Sequence, residues 1–310
     1  MRSFVGLLRR EWQEHKSAFI WGPGCVLIVL VLAGIMATAI NPYVEADFDS
    51  SEAIEINERL SEERRDRAGM MEMLAAMVFD VAGSTDAELE DKMSGLLRGV
   101  VVPFHLVYLA IGFFALLACL YDERKDQSIL FWKSLPVSDT ATVMSKLIFV
   151  IWVAPLVTIA AVIMAQFLIV TVSSIFVEDG MSGRIWAASQ IWWRPLELLV
   201  GYFMLGVWAL PLMGWVLVVS AWANKLPVLW VIGVPWVVGL LERIIIGTEK
   251  FSEIVTGHFA LLMSLPRDTQ VSVFGMFTMF SETRFWLGLM VGALLIATAI
   301  VLRSRVNDAH

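Results

Sequence analysis

Six apolar runs, at 18–40, 101–121, 147–175, 196–222, 227–247 and 285–302, constrain this chain more than any other feature. Each is long enough to cross a hydrocarbon core of roughly 30 Å, which takes about 20 helical residues. Backbone polar groups in such a core meet no water, so a run of this kind satisfies them within its own helix. A barrel would instead show segments of about 10 residues with alternating hydrophobicity. The expected fold is therefore an all-α integral membrane protein with six transmembrane helices. The third and fourth runs exceed the minimum, which implies tilt or extension past the lipid. Composition agrees: 58% of the chain is hydrophobic and 17% is charged, against about 25% charged in a soluble domain. Arg9, Arg10 and Lys16 precede the first run, and Ala37-Thr38-Ala39 resembles a signal cleavage site. That run nevertheless has the length of a full span, where the core of a secretory signal has roughly 7–15 residues.

Charge sets the expected orientation. Eleven basic residues fall in four short segments: Arg2, Arg9, Arg10 and Lys16; Arg124, Lys125, Lys133 and Lys146; Lys225; and Arg303 with Arg305. The positive-inside rule makes that side cytoplasmic. Both termini are then cytoplasmic, with a short tail at 303–310. The opposite side holds 41–100, with 15 acidic and 6 basic residues; long segments are translocated largely regardless of charge. Trp186, Trp192 and Trp193 stand just before the fourth run, where an outer aromatic belt is expected.

Between the spans the chain reads as helical. Residues 1–17 place Phe4, Leu7, Leu8, Trp12 and His15 at helical spacing, with Arg9, Arg10, Gln13 and Lys16 largely on other faces. This is the pattern of an amphipathic interfacial helix, either a simple membrane-anchoring leader or an elbow before span one that couples to something outside the bilayer. Gly22-Pro23-Gly24 is expected to turn or kink the chain at the entry to that span. The 41–100 segment reads as an external helical hairpin or cap, with a packing face at Met70, Met71, Met73, Leu74, Met77, Val78 and Phe79. Thr85-x-x-Glu88 is a capping box for a second helix in it, and Glu88 and Lys92 form an i,i+4 pair. Residues 176–195 form an external link. In 248–284, two short apolar arms flank Pro266-Arg267-Asp268 and suggest external short or re-entrant helices.

No catalytic constellation emerges. The sequence contains no GxxxxGK[ST], CxxC or HExxH motif. The histidines His15, His105, His258 and His310 are scattered. His105 reads as a satisfied polar group in an apolar run. Arg194 with Glu197, and Glu242 beside Arg243, read as structural pairing near span ends. Cys25 and Cys119 read as small buried apolar residues rather than a disulfide framework. The spans carry almost no ion-coordinating chemistry, Gln166 apart, which argues against an ion-coupled secondary transporter. Neither metal nor cofactor binding is expected in this chain, nor any nucleic-acid partner.

One stretch breaks the apolar pattern. Residues 122–146 connect spans two and three and carry Asp122, Glu123, Arg124, Lys125, Asp126, Lys133, Asp139 and Lys146. Ile129, Leu130, Phe131 and Trp132 offer apolar anchors of the type that dominates interface energies. Pro136 ends the helix and biases Leu135 away from helical geometry. Ser138 or Asp139 caps the next helix. An ordinary solvated loop whose Phe and Trp rest on the bilayer is the plain alternative.

This stretch resembles the first cytoplasmic loop of ABC transporter permeases of the type-2 export class. The matching residues are Glu123 just after span two, Leu135-Pro136-Val137-Ser138 as the Leu-Pro-x-Ser-like turn, and Lys146 at the entry to span three. The six-span layout with an elbow helix is similar as well. Gln127-Ser128 stands where the class often has Gly-Thr, and the 41–100 segment is large for the class. The resemblance implies a transport subunit that is not itself an enzyme. ATP and Mg would be bound by a separate ATPase subunit, in two copies. A second permease copy, identical or related, would pair with this one in the bilayer. The implied ATPase-coupling residues are Glu123, Arg124, Ile129, Phe131, Trp132, Leu135 and Pro136, with Leu8, Arg9 and Trp12 in the elbow helix. The implied location is the inner (cytoplasmic) membrane of a bacterium. The runner-up is a polytopic membrane protein without an ATPase, such as a secondary transporter or a receptor using residues 41–100.

Overall fold

A computed structural model describes residues 2–45, 84–175, 181–264 and 278–305, and every regular element among them is helical. Five of the described helices are long and apolar enough to cross a membrane, or six if one bent pair forms a single span. The Met70–Phe79 face and the Pro266-Arg267-Asp268 break lie outside the described residues. The chain divides into two compact units: Met1–Pro23, Val102–Ala160 and Pro195–His310 form one, and Gly24–Val101 with Ala161–Arg194 form the other.

Helix α1 (Arg2–Glu45) is continuous. The turn expected at Gly22-Pro23-Gly24 is not made, and the expected elbow and first span are one helix. Gly22 serves close packing instead: a Cβ there would come 2.6 Å from Ile111 Cδ1 and 2.9 Å from Val107 Cγ1. Helix α2 (Asp86–Lys125) likewise fuses the expected external helix with span two. It starts at the anticipated capping box, in which Thr85 N donates to Glu88 Oε2 at 2.9 Å and Glu88 N donates to Thr85 Oγ1 at 3.3 Å. Lys92 donates to Ser84 Oγ at 3.0 Å.

The remaining helices are α3 (Ser128–Lys133), α4 (Asp139–Ile148), a π-helical turn (Phe149–Val153) and α5 (Ala154–Ile175). Then follow α6 (Ser182–Ser189), α7 (Arg194–Trp208), α8 (Leu210–Trp222), α9 (Pro227–Ile245), α10 (Lys250–Ser264), a 3-10 turn (Thr278–Ser281) and α11 (Thr283–Arg305).

The unit built on Gly24–Val101 and Ala161–Arg194 has its own apolar core. Leu89, Met93, Leu96 and Leu97 of α2 pack with Val170 of α5 and with Ile185 and Ala188 of α6. Polar ties surround it: Arg184 pairs with Asp86 at 2.8 Å and donates to Ser84 O at 2.7 Å. Gln166 Nε2 donates to Leu97 O at 2.8 Å, while its Oε1 is buried with no hydrogen-bond partner among the described residues. Trp186 packs edge-on against Phe167, whereas Trp192 and Trp193 are exposed.

In the other unit the expected fourth span is broken. The helical stretch ending at Trp208 meets α8 at 55°. Pro211 explains the break, because it has no N–H for the Val207 carbonyl and its ring clashes with the preceding turn. Helices α8 and α11 then approach closely through glycine. A Cβ on Gly214 would lie 3.1 Å from Gly292 O, and one on Gly292 would lie 2.9 Å from Leu210 C. Gly288 and Gly292 form the small-xxx-small spacing that lets membrane helices touch at the backbone. His105 is satisfied as anticipated, with Nε2 2.8 Å from Leu262 O and Nδ1 3.4 Å from Tyr202 Oη. Glu242 and Arg243 do not serve each other: Arg243 pairs with Glu249 at 3.2 Å, and the Glu242 carboxylate accepts from Phe251 N at 2.9 Å and Thr248 Oγ1 at 2.7 Å, fixing the start of α10. Both cysteines are free; Cys119 is buried, but Cys25 is exposed, contrary to expectation.

Candidate functional site

The loop between α2 and α4 is built by local rules. α2 ends at Lys125, and Gln127 takes a left-handed conformation with φ 56°. That reversal redirects the chain into α3, and Ser128 Oγ donates to Glu123 O at 3.4 Å across the turn. α3 stops at Lys133, before Leu135-Pro136. Ser138, rather than Asp139, caps α4, with Ala141 N donating to its Oγ at 3.2 Å.

Beneath this loop lies a buried ionic joint. Lys146 Nζ is 3.1 Å from Glu11 Oε1 and 3.1 Å from Glu123 Oε1. Arg303 Nη1 donates to Glu123 Oε2 at 2.5 Å, and its Nε lies 3.0 Å from Asp139 Oδ1. Arg10 adds a longer pair to Glu123 at 3.5 Å and a close one to Glu14 at 2.6 Å. The four central residues are almost entirely covered: Glu11 is 1% exposed, Lys146 and Arg303 3%, and Glu123 5%. Removing such charges from water is unfavourable unless each is paired. The four central charges balance, Glu11 and Glu123 against Lys146 and Arg303, with Arg10, Glu14 and Asp139 at the edge of the joint. The joint ties together α1, α2, α4 and α11.

Further contacts fasten the loop. Arg124 donates to Ser220 O at 3.0 Å and Ala223 O at 2.6 Å, capping the end of α8, where a cation is favoured. The Arg10 guanidinium stands 3.4 Å over the Trp132 ring, within cation–π range. Lys133 donates to Ser304 O at 3.1 Å, which caps the end of α11.

These contacts redraw the site read from sequence. Glu123 was expected in a polar rim and Ile129 among the apolar anchors, yet both are buried. Arg124 and Trp132 are turned towards this chain's own groups. Leu130, Phe131, Leu135 and Pro136 remain exposed. In α1, Arg9 is exposed while Leu8 and Trp12 are half-buried; the most buried positions are Leu7, Glu11, Phe19 and Pro23, a four-residue stripe. Sequence reasoning missed Glu11, Arg303 and Asp139 as partners of Glu123. The four-residue stripe through Glu11 was the one available signal.

Glu11, Glu14 and His15 bring three potential metal-ligand atoms within 4.8 Å of one another. Lys146 and Arg10 already neutralise those carboxylates, so the group reads as part of the ionic joint. Comparison of the chain with protein-family models, with characterised proteins and with solved structures gives no match in any of the three.

Proposed function

We propose that this chain is the membrane subunit of an ATP-driven exporter of the type-2 ABC class, driven by a separate ATPase that docks on the 122–146 loop. One observation carries the reading. The loop is fastened from behind by ion pairs and helix caps, yet it turns Leu130 and Phe131 outward, 56% and 60% exposed. Exposed Asp122, Lys125 and Asp126 stand nearby in the chain. An apolar centre with a polar rim is the composition of a protein interface. A rigid mount is what a part receiving force from a partner requires. Gln127 adds support: its left-handed backbone occupies the site where the class often carries glycine, the residue best suited to it.

In this reading two permease chains pair with two ATPases in a bacterial inner membrane. The ATPases bind ATP and Mg, and their closure displaces α3. This chain contributes the path and no catalytic group.

The test is co-purification from detergent with an ATPase encoded beside it. Leu130→Ala and Phe131→Ala should each weaken retention about tenfold, since apolar anchors at interface centres are worth roughly 1–2 kcal/mol or more. Retention equal to that of the parent for both variants would sink the docking assignment.

A further inference from the structure

We infer that Glu123 is the pivot of an ionic clamp, with Arg303 and Lys146 as positioning residues, and that this clamp fixes where α3 stands relative to α1 and α11. Four observations converge on it. The central charges are buried and balanced. Arg303 bridges two carboxylates, Glu123 just before α3 and Asp139 just after it. Lys146 bridges two others, Glu11 in α1 and Glu123 in α2. Lys133, the last residue of α3, holds the end of α11 by a separate bond.

An apolar cluster of equal volume would hold these helices as well or better. What charges add is discreteness. A buried ion that slides away from its partner is left unpaired, so the joint has one allowed register rather than a continuum. A displacement of α3 is then passed to the first and last helices as well as to α2 and α4. That functional consequence rests on the exporter reading; the clamp itself does not.

The experiment uses the full chain in nanodiscs with Cys25 and Cys119 replaced by Ala. Spin labels at Leu130→Cys and Arg305→Cys report the α3–α11 distance by pulsed electron resonance. A control pair at Leu229→Cys and Glu253→Cys reports α9 and α10. The parent should give one narrow distribution for each pair. Arg303→Ala should broaden or shift the first by several ångströms and leave the second unchanged, and Arg303→Lys should restore it. If Arg303→Ala also disturbs the control pair, Glu123→Gln/Arg303→Met removes both charges without stranding either. An unchanged α3–α11 distribution in a folded variant overturns the clamp. Because no ATPase is present, this result is independent of whether one docks. With the ATPase added, Arg303→Ala should leave retention unchanged and reduce transport per ATP several-fold, whereas loss of retention with intact coupling would contradict the positioning role.

Discussion

Gln127 concentrates the local strain of the loop. A non-glycine residue in the left-handed region costs roughly 1–2 kcal/mol, and Gln127 sits there at φ 56°. Gln127→Gly should therefore hold or raise the unfolding free energy in detergent, by up to ~1 kcal/mol after the added freedom of the unfolded chain is counted. Gln127→Val should lower it by about 1–2 kcal/mol, because a β-branched side chain tolerates φ > 0 poorly. Position-by-position reading served where the interaction is short in sequence. The Thr85–Glu88 box and the Ser138 cap each close over three residues. It misread Glu123 and Ile129 because a charged residue after a span ordinarily meets water, and an apolar one in a loop ordinarily meets a partner. Nothing within ten residues of Glu123 announces Arg303.

At the scale of helices, length and hydropathy were informative and close approach was not. Five of the six expected spans fall on single helices long and apolar enough to cross a membrane and the fourth falls on a bent pair, because a continuous apolar run has one way to satisfy its backbone in lipid. The fusion of the elbow with span one and the 55° break before α8 were missed. Both turn on a proline whose effect depends on what packs beside it. The α8–α11 contact makes a direct test. Gly292→Ala drives a Cβ towards the Leu210 backbone at 2.9 Å and should cost ~1–3 kcal/mol as overpacking. Gly233→Ala in α9 meets nothing within 4 Å and should be neutral or gain about 1 kcal/mol of helix propensity. Thermal unfolding of the two variants in one detergent separates these outcomes, and equal losses would contradict the packing account.

For the whole molecule the charge pattern predicts sidedness. In a cysteine-free background, a membrane-impermeant thiol reagent should label Asp126→Cys and Lys225→Cys from one face and Trp192→Cys from the other. Labelling of Asp126→Cys and Trp192→Cys from the same face would overturn the orientation. The clustering of basic residues in four short segments is legible in the sequence, whereas the joining of α1 and α11 at one loop is not. The Arg303–Glu123 bond adds a temporal consequence, since its partners are separated by 180 positions. Glu123 leaves the ribosome long before Arg303 is made. Until the last helix enters the bilayer, the nascent chain carries a carboxylate without its closest counter-ion. Chains truncated before α11 should therefore be preferentially destroyed by membrane proteases. Pulse-chase lifetimes of a chain ending at residue 280, with and without Glu123→Gln, would reveal whether the stranded carboxylate acts as the degradation signal.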